Sequence, residues 1–154
     1  MTPAVRTLEA AGVEFSVHEY DRGDDLKDFG REAAEALGLP YDQVFKTLVV
    51  EGEHGLVVAV IPVSCKLSMK LVAAALGLKR VAMADPAAAE RSSGYVVGGI
   101  SPLGQRKVLP TVIDETVELF DQVYVSGGKR GMDIAVRPGD LVAILTAVVA
   151  PITA

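Results

Sequence analysis

At 154 residues, half of them apolar, the chain is long enough to bury a real core and is expected to form one domain over residues 1–154. A single cysteine, Cys65, excludes an internal disulfide and multi-cysteine metal sites and fits a reducing, cytoplasmic setting; His18 and His54 stand in no metal-ligand spacing, so neither metal nor cofactor is expected. The net charge of −5 argues against long duplex DNA as a partner and the lack of tryptophan against stacking of single strands, while the apolar runs at 56–63 and 141–152 are too short or too broken to span a bilayer.

In chain order, Thr2 and Pro3 give a capping hydroxyl and a proline at the first helical position, and Gly12 stops that helix. Val13, Phe15 and Val17 alternate with Glu14, Ser16 and His18, the pattern of a half-buried strand ending near Tyr20. The acidic run Asp21–Asp25 reads as a solvated loop. A helix from Asp28 carries Phe29, Ala33, Ala36 and Leu37 and ends at Gly38 and Pro40. Strand 44–51 and a hairpin turn at 51–55 lead into 56–62, a continuous apolar run typical of a central strand covered on both faces. Ser68 caps a helix to Leu76, residues 80–83 form a short strand, and Asp85-Pro86 opens an alanine-rich helix reaching Arg91. Residues 108–113, interrupted by Pro110, read as an edge strand followed by a short helix at 115–120. Strand 123–126, the alternating 132–136 and a last helix around Leu141, Ile144 and Leu145 complete the chain. Without strict βαβ alternation the expected fold class is α+β, with a mixed, largely antiparallel, curled and barrel-like sheet and short flanking helices.

Two glycine-rich stretches stand out. Tyr95-Val96-Val97 is apolar and β-prone, and Gly98, Gly99, Pro102 and Gly104 then stop any regular element, so backbone N–H groups are left able to approach a carbonyl, carboxylate or phosphate. Ser126-Gly127-Gly128-Lys129-Arg130-Gly131 repeats the pattern after a second short strand, and two such loops point to one lined cleft. Neither matches a dinucleotide or P-loop fingerprint. Residues 1–55 carry 12 acidic and 5 basic side chains and residues 56–154 carry 8 and 10, with the dyads Arg106-Lys107 and Lys129-Arg130 on or just after the glycine stretches. The dyads are either solvated surface charge or a positive rim for a polyanion.

Lys46 breaks a strand that is otherwise apolar on both faces, sharing one face with Val44, Leu48 and Val50. Its ammonium must reach water at an edge or find an anionic or carbonyl partner, because burying it alone is costly. A nucleophile is harder to find. Ser126 and Lys129 match Ser-x-x-Lys only by spacing, since two glycines sit where that motif needs helix, and neither histidine stands in a triad context. Asp133, on a strand after a glycine stretch, can orient an amine or hydroxyl or be a plain strand-end carboxylate.

Val-Phe-Lys-Thr-Leu-Val-Val at 44–50, Gly-Tyr-Val-Val-Gly-Gly-Ile-Ser-Pro-Leu-Gly at 94–104, Leu-Pro-Thr-Val-Ile-Asp at 109–114 and Tyr-Val-Ser-Gly-Gly-Lys-Arg-Gly at 124–131 closely resemble the YbaK family. These are free-standing domains related to the editing insertion of prolyl-tRNA synthetase, and the resemblance spans nearly the whole chain. It implies that family's fold and a hydrolase that removes cysteine from mischarged Cys-tRNA(Pro), and by extension Cys-tRNA(Cys), acting in trans in a complex with prolyl-tRNA synthetase. The implied ligand is the acceptor end of an aminoacyl-tRNA. By the same resemblance Lys46 holds the terminal aminoacyl-adenosine, Tyr20, Phe29 and Thr47 line the pocket, and Ser126, Gly127 and Asp133 add polar groups. Gly98, Gly99, Ile100, Ser101 and Pro102 face the ester, and the backbone N–H groups of 98–101 are the expected oxyanion donors. In the family's mechanism the substrate's own thiol attacks its carbonyl, which fits a site without a protein nucleophile. The competing expectations are a deacylase for another small amino acid, such as Ala-tRNA(Pro), and a non-catalytic module that binds a tRNA end or an aminoacyl-adenosine.

Overall fold

The computed structural model describes residues 1–21 and 28–154, so the expected acidic loop lies outside the described residues beyond Asp21. The helices follow their sequence signals closely. Helix α1 (Pro3–Ala11) starts at Thr2, whose Oγ1 accepts from the Val5 N–H at 3.3 Å and donates to the Gly127 carbonyl at 2.5 Å. One cap thereby closes the helix end and ties it to a distant strand. Helix α2 (Phe29–Leu37) is capped by Asp28, whose carboxylate accepts from the Arg31 N–H, and α3 (Met69–Leu76) by Ser68. Helix α4 (Pro86–Ser93) and helix α5 (Pro138–Leu145) start on proline without a side-chain cap bond.

The strands fall into two sheets. Strands β1 (Phe15–Glu19), β7 (Met132–Val136) and β6 (Val123–Lys129) form an antiparallel three-stranded sheet in that order. The second sheet runs β4 (Val81–Met83), β2 (Phe45–Gly52), β3 (Gly55–Pro62), β5 (Thr111–Asp114) and β8 (Val148–Ala150), antiparallel up to β3 and parallel after it. A single parallel bridge, Val44 to Tyr124, links them. Between the sheets Phe45, Val49, Val58, Val60 and Ile113 meet Val123, Val125, Ile134 and Val136, with Ala4 and Leu8 of α1 closing one side. On the far face Val50, Val57, Ala59, Ile61 and Val112 pack on Val72 and Ala73 of α3. Strand β3 contributes to both cores, which is why it reads as an unbroken apolar run; each such valine or isoleucine stabilises by roughly 1.5–3 kcal/mol.

Several expectations are corrected. Strand β5 is interior, paired in parallel with β3 and β8. Pro110 stands just before it, its carbonyl accepts from Val58 N at 2.8 Å, and its missing donor interrupts nothing. The short helix after β5 is a 3₁₀ segment, Glu115–Leu119. Val17 is 43% exposed, because β1 is an edge strand with Phe15 alone turned towards the core. Tyr95-Val96-Val97 is not a strand, and Ser126 to Lys129 is not a loop.

Candidate active site

Strand β2 pairs with β3 along its whole length, yet on its other edge β4 meets only Val50–Gly52. Beside the uncovered part lies a cavity of about 420 Å³ lined by Phe45, Lys46, Thr47 and Leu48. Lys46 is half-buried there, and no hydrogen bond or ion pair within the described residues engages its ammonium. The cation that broke the apolar pattern is thus held against an open cavity. Thr47 is similar: its Oγ1 is buried without a hydrogen-bond partner among the described residues. Ala84 N donates to Val49 O at 3.1 Å, so the β4 side of β2 is the side of the odd-numbered backbone groups; the N–H and C=O of Thr47 face that same uncovered edge. Helix α2 closes one end with Phe29 and Gly30. A Cβ at Gly30 would lie 2.3 Å from Val63 Cγ1, so only glycine lets the helix sit this close to the turn that follows β3.

The opposite wall is the polar face of the three-stranded sheet. Ser126 and Asp133 are direct cross-strand partners, and both line the cavity. Asp133 is 5% exposed, its carboxylate has no hydrogen-bond or ion-pair partner among the described residues, and burial pushes it up to about 7. Ser126 Oγ accepts from Gly128 N at 3.3 Å. His18 flanks Asp133 on the other strand, but its ring packs edge-on against Tyr124 and its Nε2 shares a hydrogen bond with Ser16 Oγ.

The third wall is the segment from Ser93 to Gly104, a true loop. Its base is zipped by Arg106 N to Ser93 O and Lys107 N to Ser92 O. Tyr95 turns inward, donates its hydroxyl to Leu103 O at 2.7 Å, and has its phenol pushed up to about 12 by burial. Glu90 accepts from Val97 N at 2.8 Å. Val96 O accepts from Gly99 N at 2.9 Å across a turn with Gly98 at φ +92°, the geometry of a type II turn. Gly98 and Ile100 line the cavity, and their N–H groups have no acceptor among the described residues.

Of the residues singled out in the sequence, the structure therefore brings together Phe29, Lys46, Thr47, Gly98, Ile100, Ser126 and Asp133. Five others lie off the cavity lining. The N–H of Gly99 is already bonded to Val96 O, and its Cα packs on the Lys129–Arg130 backbone. Ser101 is fully buried, with Oγ accepting from Leu103 N at 3.2 Å, and Pro102 lines a separate depression with Val108 and Ile144. Gly127 is buried beneath Met132, and Tyr20 lines an adjoining surface cavity with Glu19, Lys129 and Arg130. Sequence reasoning missed Gly30, Met83, Ala84, Pro86, Ala89 and Val97, all part of the lining. Glycine at the second position of a helix was a usable signal for Gly30; the apolar residues looked like any others of a core.

Among the described residues no group of three or more His, Cys, Asp or Glu side chains is arranged to hold a metal, and no helix is long and apolar enough to cross a membrane. A cation and backbone donors without partners among the described residues, together with a buried carboxyl, line one cavity and suit a ligand that carries a carbonyl together with polar groups.

The comparisons with known proteins narrow that class. A family described as the aminoacyl-tRNA editing domain matches residues 25–144. EbsC of Enterococcus faecalis (strain ATCC 700802 / V583), a proposed Cys-tRNA(Pro)/Cys-tRNA(Cys) deacylase, is 37% identical over 153 residues, which is 99% of this chain and 93% of that protein. Proline–tRNA ligase of Thermosipho africanus (strain TCF52B) is 31% identical over 99 residues, 64% of this chain but only 18% of the ligase. The solved structure of a proposed trans-editing enzyme for prolyl tRNA synthetase superimposes with a TM-score of 0.86 at 26% identity, covering 100% of this chain and 99% of that one. The chain belongs to the aminoacyl-tRNA editing domain family, whose activity is hydrolysis of the ester that joins an amino acid to tRNA.

Proposed function

We propose that this protein, acting as one domain over residues 1–154 in the cytoplasm, hydrolyses Cys-tRNA(Pro) in trans, in company with prolyl-tRNA synthetase. The observation that carries the reading is the cavity itself: it is lined by a Lys46 ammonium and by N–H groups of Gly98 and Ile100 that have no partner among the described residues, and no histidine lines it to activate Ser126. The lining offers groups for binding and oxyanion stabilisation, and Ser126 Oγ, which accepts from Gly128 N, has no hydrogen bond to Asp133 or to a histidine among the described residues. The likeness to EbsC and to a stretch of a proline–tRNA ligase supports both the substrate and the partner.

In this mechanism Lys46 holds the terminal nucleotide end of the tRNA, and the Gly98 and Ile100 N–H groups receive the ester oxygen as charge develops on it. The cysteine thiolate of the substrate attacks its own carbonyl carbon, the bond from that carbon to the ribose oxygen breaks, and the ribose oxygen takes up a proton from water. The four-membered thiolactone so released is opened by water to free cysteine. A thiol of pKa about 8.5 is a few per cent ionised near neutrality and strongly nucleophilic, so selection against alanine comes from chemistry. Shape alone would give only about 1–3 kcal/mol for a difference of methylene size. Asp133, Ser126 and Thr47, which line the same cavity, bind the amine and the side chain of the amino acid in this reading.

The test is release of labelled amino acid from Cys-tRNA(Pro) and Ala-tRNA(Pro) by the wild type and by Lys46→Ala. Loss of cysteine alone, slowed by about 10- to 100-fold in the variant as expected for a charged hydrogen bond to substrate, supports the reading. Alanine released as fast as cysteine removes it in favour of a thiol-independent deacylase, and binding of the tRNA without turnover removes it in favour of a non-catalytic module.

A further inference from the structure

Lys129 and Arg130 stand side by side as an apparent basic dyad, and the structure gives them different tasks. Lys129 reaches outward to an exposed ion pair with Glu19 at 3.8 Å. Arg130 turns inward: its Nε donates to the Val97 carbonyl at 2.9 Å, and its guanidinium lies over the Phe29 ring, 4.7 Å from the centroid. A Cβ at Gly98 would fall 2.7 Å from that Nε and 2.9 Å from the ring, so the turn, the guanidinium and Phe29 are in mutual contact.

Resting on the function given above, we propose that Arg130 is a positioning residue that fixes the Val97–Gly98 peptide so that the Gly98 N–H is held towards the ester carbonyl. Carbonyl and N–H of a trans peptide point in opposite directions, so a grip on the Val97 oxygen from one side sets the Gly98 donor on the other. The Val96–Gly99 turn makes this control necessary. Its central peptide is Val97–Gly98, and rotation of that peptide converts a type II turn into a type I turn with the donor reversed. Glycine permits both forms. The bond from Arg130 holds the type II form, and stacking on Phe29 together with the close fit at Gly98 leaves the guanidinium little freedom. The N–H of Gly99, bonded to Val96 O, cannot substitute as a donor, and that of Gly98 has no acceptor among the described residues.

The test compares Arg130→Met, which keeps an apolar stem on Phe29 but removes the donor, with Arg130→Ala, with folding of both checked by circular dichroism. Single-turnover deacylation of Cys-tRNA(Pro) should slow by about 10²-fold in each, as when one oxyanion donor is lost, with KM changed by less than about threefold. Low concentrations of guanidinium ion should restore part of the lost rate in Arg130→Ala and none in Lys46→Ala. A raised KM with unchanged kcat would mean that Arg130 binds tRNA phosphates directly and would overturn the proposal, as would wild-type rates in both variants. Should the wild type release no amino acid from any aminoacyl-tRNA, the proposed function fails, and the Gly98 amide resonance decides the positioning claim alone: it moves in Arg130→Met if the claim holds and stays unchanged if it does not.

Discussion

The two glycine-rich stretches each carry a Gly-Gly pair and fold differently. Ser93 to Gly104 is a loop closed on itself through Tyr95, with a positive-φ glycine at its turn. Ser126 to Lys129 continues β6, with an irregular register between Ser126 and Lys129, and only Arg130-Gly131 turns the chain. The glycines serve different ends. Gly98 and Gly128 both hold positive φ, +92° at the turn of the loop and +107° at the irregularity in β6, whereas Gly127 is needed for its absent side chain, since a Cβ there would meet Met132. A glycine run marks close approach as readily as it marks a turn.

The comparison is best broken at the residue facing the second stretch. Asp133, opposite Ser126, has its carboxyl raised from 3.8 to about 7 by burial. The folded protein therefore binds a proton more tightly than the unfolded chain, so this group's contribution is fully present below about pH 4 and is lost as pH rises through about 7. Asp133→Asn should flatten the fall in stability across that window by at most about 4 kcal/mol, read from urea midpoints at a series of pH values. A variant with the wild-type pH profile would show that the carboxyl is not desolvated.

Smaller effects separate the glycines themselves. Gly99→Ala places a Cβ 2.7 Å from Lys129 Cα, a backbone atom that cannot step aside, and should cost about 1–3 kcal/mol and slow deacylation as the loop shifts. Gly127→Ala meets mainly the flexible end of Met132, at 2.4 Å from Cε, and should cost about 1 kcal/mol or less. Equal denaturation midpoints for these two variants would erase the distinction drawn between loop and strand.

What the sequence made legible follows from how local each signal is. Thr2, Asp28 and Ser68 cap their helices within four residues of chain, and the helices start where these residues stand. Strand β3 was legible as central because burial on both faces leaves no polar residue in it. Strand β5 was misplaced at an edge because its neighbours are decided by parallel pairing with β3 and β8, which no local pattern records. β8 itself left too short a signal to be read. Within the site, Lys46, Thr47, Ser126 and Asp133 could be singled out because each is polar where apolar residues surround it, and the cavity joins them. Arg130 looked like half of a surface dyad, because a side chain that reaches across the fold to Val97 carries no mark in sequence.

The central claim is that this cavity leaves the chemistry to the substrate's own thiol, and it is tested most directly by a pair of substrates that differ only in that atom. Deacylation of Cys-tRNA(Pro) and Ser-tRNA(Pro), measured side by side under single-turnover conditions, holds charge and very nearly shape constant while exchanging sulfur for oxygen. The account predicts that the cysteine ester is lost at least about 1,000-fold faster, a gap beyond the roughly 10- to 200-fold that pocket fit supplies for so small a change. Equal rates for the two would contradict it.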